Sequence, residues 1–175
     1  MIEAGVALGA NLGDPASAFL RALNALAAED SAASVTLSGL FDTAPVGGPE
    51  QPPFVNAVAV IRTDLSPECL LDRLHELEHE AGRVRGEHWG PRVLDLDLLW
   101  HGDSIANDST LNLPHPGIRD RSFVLEPLAE IHPNWRHPVE GKTAREMRDE
   151  LAASGRWTPC RRIGPLPGWT GGEAV

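Results

Sequence analysis

The sequence predicts an α+β domain, a mainly antiparallel sheet with helices packed on one face in the ferredoxin-like split βαβ arrangement. Three observations lead there. Alternating segments and segments with a helical apolar stripe follow one another as strand, helix, strand, strand, helix, strand, before two short helices. Clusters of Gly and Pro separate them. The 175 residues, 42% hydrophobic and 23% charged, suit one domain with one core.

Glu3 to Ala10 reads as a short strand that runs into the turn Gly9-Ala10-Asn11-Leu12-Gly13-Asp14. Pro15 suits the first turn of a helix, and Phe19, Leu20, Leu23 and Leu26 give that helix an apolar stripe. Ser34 to Phe41 alternates as one strand, and the Pro- and Gly-rich run from Thr43 to Pro53 excludes regular structure. Phe54 to Ile61 is the next strand. Ser66 caps a helix whose first residue is Pro67 and whose inner positions are Leu70, Leu71, Leu74, Leu77 and Ala81. A loop from Gly82 to Pro91 precedes a strand over Val93 to Trp100, and Leu111, Leu113 and Pro114 form a short edge segment. Ser122 to Glu130 is a short helix, and Thr143 with Glu146 has the spacing of a capping box before a helix to about Ala153. The domain is expected to span 1–158. The stretch 159–175, rich in Pro and Gly, is expected to be a flexible tail whose removal leaves activity intact.

Net charge is −10, which argues against a nucleic-acid partner. No apolar run reaches the ~20 residues that span a bilayer, and the first residues lack a signal peptide's pattern. The expectation is a cytoplasmic monomer acting on small molecules. Cys69 and Cys160 fit neither a disulfide framework nor a zinc site. Fourteen of the fifteen basic residues are Arg, and Arg83, Arg85 and Arg92 fall within ten positions. Guanidinium forks match phosphate oxygens, although pairing with Glu78, Glu80 and Glu87 is an equal alternative.

The strongest local signal is Val93-Leu94-Asp95-Leu96-Asp97-Leu98-Leu99. Strand side chains alternate, so Asp95 and Asp97 share a face at about 6.6 Å. Two carboxylates there repel by roughly 3 kcal/mol at an effective dielectric near 20. A hard divalent cation would reverse the sign, and an oxygen-only set favours Mg²⁺. A solvated strand face is the alternative. Cations beside a metal pair are what phosphoryl transfer needs. Trp89, among glycines and polar residues, suits stacking on a planar ligand. No GxxxxGK[ST] run is present, so the Gly9–Gly13 turn is not a P-loop.

These residues resemble the 6-hydroxymethyl-7,8-dihydropterin pyrophosphokinases. The resemblance rests on Gly9-Ala10-Asn11-Leu12-Gly13, Thr43-Ala44-Pro45-Val46-Gly47, Phe54-Val55-Asn56 and Arg83-Val84-Arg85. Its most specific part is the unbroken Trp89-Gly90-Pro91-Arg92-Val93-Leu94-Asp95-Leu96-Asp97, and Pro114-His115 and Arg121-Ser122-Phe123 complete it. It runs from the first strand to about Trp157 and implies a ferredoxin-like fold. It also implies pyrophosphoryl transfer from ATP to the pterin hydroxymethyl group, with attack at the β-phosphorus, release of AMP, and loops that close over both substrates. Asp95 and Asp97 would hold two Mg²⁺ ions, with Asp95 also beside the pterin. Trp89 and Phe123 would sandwich the pterin. Phe54, Asn56 and the segment Thr43, Ala44, Pro45 and Val46 would surround its edge. Arg83 and Arg92 would contact the transferring phosphates. His115 and Arg121 would hold ATP phosphates, with Leu71, His75, Glu78, Arg85, Trp89, Leu98 and Asn112 around the nucleotide.

The sequence departs from the family's usual pattern at Ala44 (commonly Pro), Phe54 (commonly Tyr), His75 (commonly Gln) and Pro116 (commonly Tyr), and its loop before Trp89 is one residue short. None of these removes a metal ligand or a phosphate arginine. Two other readings compete. His75-Glu76-Leu77-Glu78-His79 matches the HExxH zinc-protease signature, but no third ligand follows. A non-catalytic ligand-binding module is the other, since ferredoxin-like folds host many roles.

Overall fold

A computed structural model describes residues 1–28, 32–45, 50–82 and 90–171, with 32 and 33 described by backbone alone. The elements are β1 (Ile2–Ala10), α1 (Pro15–Ala28), β2 (Ala32–Leu37), β3 (Leu40–Thr43), β4 (Phe54–Thr63), α2 (Pro67–Glu80), β5 (Asp95–His101), β6 (Ala106–Asn107), β7 (Asn112–Leu113), α3 (Ser122–Ile131), α4 (Ala144–Ala153) and β8 (Cys160–Gly164). The main sheet has the order β5-β1-β4-β3-β8, with β2 also paired to β4. Its pairings are antiparallel. The α+β class and the split βαβ order are therefore as the sequence predicts.

The local signals act where they stand. The Ser66 hydroxyl accepts from Cys69 N at the start of α2, with Pro67 at the first helical position. Thr143 Oγ1 accepts from Glu146 N, and the Glu146 carboxylate accepts from Thr143 N, closing the capping box of α4.

Helices cover both faces of the sheet, not one. Ala4, Val6, Leu8 and Ala10 of β1 belong to a core with Phe19 and Leu23 of α1 and Leu70 and Leu74 of α2. On the opposite face Val58, Leu99 and Trp100 pack with Val124, Leu125 and Leu128 of α3 and Met147 and Leu151 of α4. The amphipathic period of α3 and α4 fixes that each has an inner side; it does not say which sheet face receives it.

That second core presses on β1 at Gly5. A Cβ there would lie 2.0 Å from the Trp100 ring. Trp100 is itself buried and its ring centroid is 4.3 Å from that of Trp135, so it has nowhere to retreat. Gly5→Ala is expected to cost about 3 kcal/mol of stability by overpacking. Urea unfolding measures this, and an unchanged midpoint would refute the contact.

The single strand expected over Ser34 to Phe41 is two. β2 ends at Leu37, opposite Ala59, and β3 resumes with Phe41 opposite Asn56, one residue out of step. Ser38 fills the break. Its hydroxyl accepts from Val58 N at 3.0 Å and donates to Gly39 O at 2.8 Å. An alternating pattern carries no mark of such a bulge.

The expectation for 159–175 is corrected. Residues Cys160–Gly164 form β8 on β3, pairing Thr43 with Cys160 and Asp42 with Arg161. Arg162 is bonded to Glu130 of α3 at 3.1 Å, and the same carboxylate accepts from Gly39 N at 2.9 Å. Leu166 and Trp169 are buried in the core beneath α1 and α2. Composition suggested a chain with too little apolar surface, but two large side chains suffice once the sheet edge supplies hydrogen bonds.

Candidate active site

The sheet lines up the site. Gly9 of β1 stands opposite Asn56 of β4 on one side and Asp95 of β5 on the other. One pair further, Ala7 stands between Val58 and Asp97. Paired residues of an antiparallel sheet share a face, so Asn56, Asp95 and Asp97 project together from the face that α3 and α4 cover elsewhere. Gly9 and Ala7 keep the floor between them low.

Each carboxylate has a cation. Arg92 Nη1 lies 2.5 Å from Asp95 Oδ1, and Arg121 Nη1 lies 3.1 Å from Asp97 Oδ2. His115 Nε2 is 3.9 Å from the same Asp97 oxygen. Burial holds the His115 imidazole below its ordinary pKa, against the opposing pull of the Asp97 carboxylate. Its Nδ1 accepts from Gly117 N at 3.0 Å. In its neutral form the ring therefore carries its proton on Nε2, facing Asp97. The Arg121 guanidinium stands 5.8 Å from the Phe123 ring centroid.

Two cavities meet at Asp97 and His115. The first, about 300 Å³, is lined by Gly9, Thr43, Ala44, Gln51, Phe54, Asn56, Gly90, Arg92, Asp95, Asp97, His115, Arg121 and Phe123. The buried Asn56 amide donates to Thr43 Oγ1 at 2.7 Å, which orients its carbonyl over Gly9. The second cavity, about 210 Å³, is lined by Leu71, His75, Leu96, Asp97, Leu98, Thr110, Leu111, Asn112, His115 and Pro116. Residues from α2, β5 and the β7 region thus converge on one side of the aspartates, and residues from β3, β4 and α3 on the other.

Most residues named from the sequence gather here. Pro45 is not among those lining either cavity. Glu78 is buried, and its Oε1 accepts from Leu96 N at 2.7 Å, so its carboxylate serves the backbone of β5 rather than facing the second cavity. Val46, Arg83, Arg85 and Trp89 lie outside the described residues. Gln51 and Thr110 line the cavities without having been singled out. His75 opens onto the second cavity, His79 is exposed on the helix, and no group of three metal-ligating side chains forms among the described residues. The HExxH run is therefore a helix face.

A family model for 7,8-dihydro-6-hydroxymethylpterin-pyrophosphokinase (HPPK) matches residues 5–133. The chain belongs to this family. The matched span holds every residue of both cavities. The 2-amino-4-hydroxy-6-hydroxymethyldihydropteridine pyrophosphokinase of Haemophilus influenzae is 45% identical over 131 residues, which are 75% of this chain and 82% of that one. The protein of the same name from Pseudomonas aeruginosa is 41% identical over 163 residues, 93% of this chain and 96% of that one. A crystal structure of Plasmodium falciparum HPPK-DHPS has a TM-score of 0.67 at 13% identity, covering 87% of this chain and 43% of that one. This chain thus spans less than half of the Plasmodium chain, and the likeness to it is one of fold. The HPPK match ends before α4 and β8, so the second core and the last strand are completed by residues beyond the family model.

Proposed function

We propose that this chain transfers the pyrophosphoryl group of ATP to the hydroxymethyl group of 6-hydroxymethyl-7,8-dihydropterin, releasing the pterin diphosphate and AMP, a step of folate biosynthesis. The observation that carries this reading is the meeting of two cavities at Asp97 and His115, one backed by the Asn56-Gly9-Asp95 row and the other by Leu71, Leu98 and Asn112. The pterin belongs in the first and the adenosine of ATP in the second, so the phosphates cross between them past the aspartates. Phe54 and Phe123 offer ring faces, and Asn56 offers an amide to a planar heterocycle.

Asp95 and Asp97 fit Mg²⁺, which characteristically takes one or two carboxylates and completes its shell with phosphate oxygens and water. When bound there, two such ions supply charge neutralisation and lower the pKa of the attacking hydroxyl. The chain's own groups do the rest. The pterin oxygen bonds to the β-phosphorus as the bond from that phosphorus to the α,β-bridging oxygen breaks; AMP leaves and the hydroxyl proton passes to solvent. Arg92 and Arg121 turn their N–H groups from Asp95 and Asp97 to the phosphates. His115 offers its Nε2 proton to a phosphate oxygen. Arg83 and Arg85 belong with the phosphates and Trp89 with the pterin. A monomer in the cytoplasm is part of the same reading; among the described residues no helix is long and apolar enough to cross a membrane.

Incubation with ATP, Mg²⁺ and the reduced pterin should yield AMP and the pterin diphosphate in equal amounts. Formation of ADP would place attack at the γ-phosphorus, and turnover without the pterin would point to simple hydrolysis. A second expectation tests the pterin cavity. A Cβ at Gly9 would lie 3.2 Å from Asn56 Oδ1 and 3.9 Å from Asp95 Cβ. Gly9→Ala should displace the Asn56 amide and weaken pterin binding about tenfold, the worth of one good hydrogen bond. Affinity for a non-hydrolysable ATP analogue should stay within about twofold by the same arithmetic. Unchanged pterin affinity would remove Asn56 from recognition.

A further inference from the structure

The turn after β1 has no role in the chemistry above, yet it holds a polar side chain that is 7% exposed and makes three hydrogen bonds: Asn11. Its Oδ1 accepts from Arg92 N at 2.8 Å. Its Nδ2 donates to Gln51 Oε1 and to Pro52 O, both at 3.0 Å. Its own backbone N and that of Leu12 donate to Arg92 O at 2.9 and 3.1 Å. A carboxamide has one acceptor oxygen and two donor hydrogens; both hydrogens are donated and the oxygen accepts. These partners are 40, 41 and 81 positions away in the sequence, so the amide joins three separate segments.

Both backbone groups of Arg92 are thereby fixed to one turn. The peptide that carries the Arg92 side chain toward Asp95 cannot rotate without breaking bonds to residues 11 and 12. Gln51 and Pro52 lead into β4, and Gln51, Phe54 and Asn56 line the pterin cavity. One buried amide thus sets the distance between the wall of that cavity and the arginine at its floor. A neutral Asn is what the contacts require. Asp would lose both donors and face two oxygens, and Ala would remove the acceptor of Arg92 N and the donors to Gln51 Oε1 and Pro52 O.

We propose that Asn11 is a positioning residue for the transfer, acting through Arg92: its carboxamide holds the phosphate-contacting arginine in register with the pterin cavity. This rests on the functional reading above, and AMP formation by the unsubstituted protein tests that reading by itself. The test of Asn11 is a double-mutant cycle of Asn11→Ala and Arg92→Ala, read as single-turnover rate at saturating substrates. Asn11→Ala should slow the rate about thirtyfold, the order expected of a sub-ångström misplacement of a catalytic group. In the Arg92→Ala background the same substitution should slow it less than about threefold, because the group it positions is gone. Amide exchange at Arg92 should also rise in Asn11→Ala while exchange in the centre of β1 stays unchanged. Where Asn11→Ala fails to fold, Asn11→Ser keeps a short donor and acceptor and enters the same cycle. Equal losses in both backgrounds, or a rate within threefold of the unsubstituted protein, overturn the proposal and leave the functional reading standing. An unsubstituted protein that forms no AMP overturns both.

Discussion

Asp95→Ala and Asp97→Ala are each expected to lower AMP formation at least a thousandfold, while the melting temperature moves by only a few degrees. The asymmetry follows from where the two residues stand. Their side chains are 24% and 34% exposed, and their ion pairs are with Arg92 and Arg121, themselves at 30% and 31%. Pairs this open contribute only about 0–1 kcal/mol to folding. A loss of that size shifts the melting temperature of a 175-residue domain by about 2–4 °C. Chemistry is affected far more. On the proposed reading, a divalent cation held by the two carboxylates would lose one of these two ligands in either variant, and with it part of the compensation of the phosphate charge. Removing one preorganised electrostatic group from a transferring centre costs about 10²–10³ in rate, and a metal ligand belongs at or above that range. Steady-state AMP formation with parallel thermal melts decides it. Activity within tenfold of the unsubstituted protein in either variant would sink the assignment, and a collapsed melting curve would show that the aspartates are structural.

What was legible in the sequence was set by short-range physics. Asp95 and Asp97 could be placed on one face because alternation is a property of any strand. The caps at Ser66 and Thr143 are bonded three residues on, within reach of a pattern. What was not legible depends on partners far along the chain. Glu78 sits on an amphipathic helix beside two histidines, and nothing nearby says that its carboxylate receives the N–H of Leu96. Asn11 reads as a turn former, because Arg92, Gln51 and Pro52 reveal its work only when the fold brings them together. The bulge at Ser38 and the choice of sheet face for α3 and α4 are of the same kind. Phe54, Asn56 and Phe123, which the family resemblance assigns to the pterin, and His115 and Arg121, which it assigns to ATP phosphates, line one cavity; their proximity is a tertiary fact that motifs carry without explaining. Gln51, at the same cavity, carried no motif of its own.

Ending the chain after Thr158 is expected to destabilise the domain by about 3–6 kcal/mol, the reverse of what composition suggested. Two terms set the size. Leu166 is 5% exposed and Trp169 9% exposed in the core that includes Phe19, Leu23 and Leu74. Truncating a buried Leu or Trp costs about 2–5 kcal/mol each. The conformational entropy that the released residues regain is opposed by the β8 hydrogen bonds and other burial they give up, and the net falls somewhat below that sum. Against a total stability of about 5–15 kcal/mol, a loss of that size removes a large share of the margin that keeps the domain folded. The loss should reach function through β3. Thr43 pairs with Cys160 of β8 on one side and with Phe54 on the other, and its hydroxyl accepts from Asn56. With β8 gone, β3 becomes an exposed edge strand and Thr43 loses the partner that steadies it. Pterin affinity should therefore fall more than affinity for an ATP analogue, whose cavity is built from α2, β5 and the β7 region. Urea unfolding of full-length and truncated chains gives the stability term, and titrations below the unfolding transition give the two affinities. Trp169→Ala separates the causes: it should lower the urea midpoint by a similar mechanism at about half the size while β8 stays paired and pterin affinity is kept. Equal midpoints for the full-length and truncated chains would show that the last strand and Trp169 add nothing to the core.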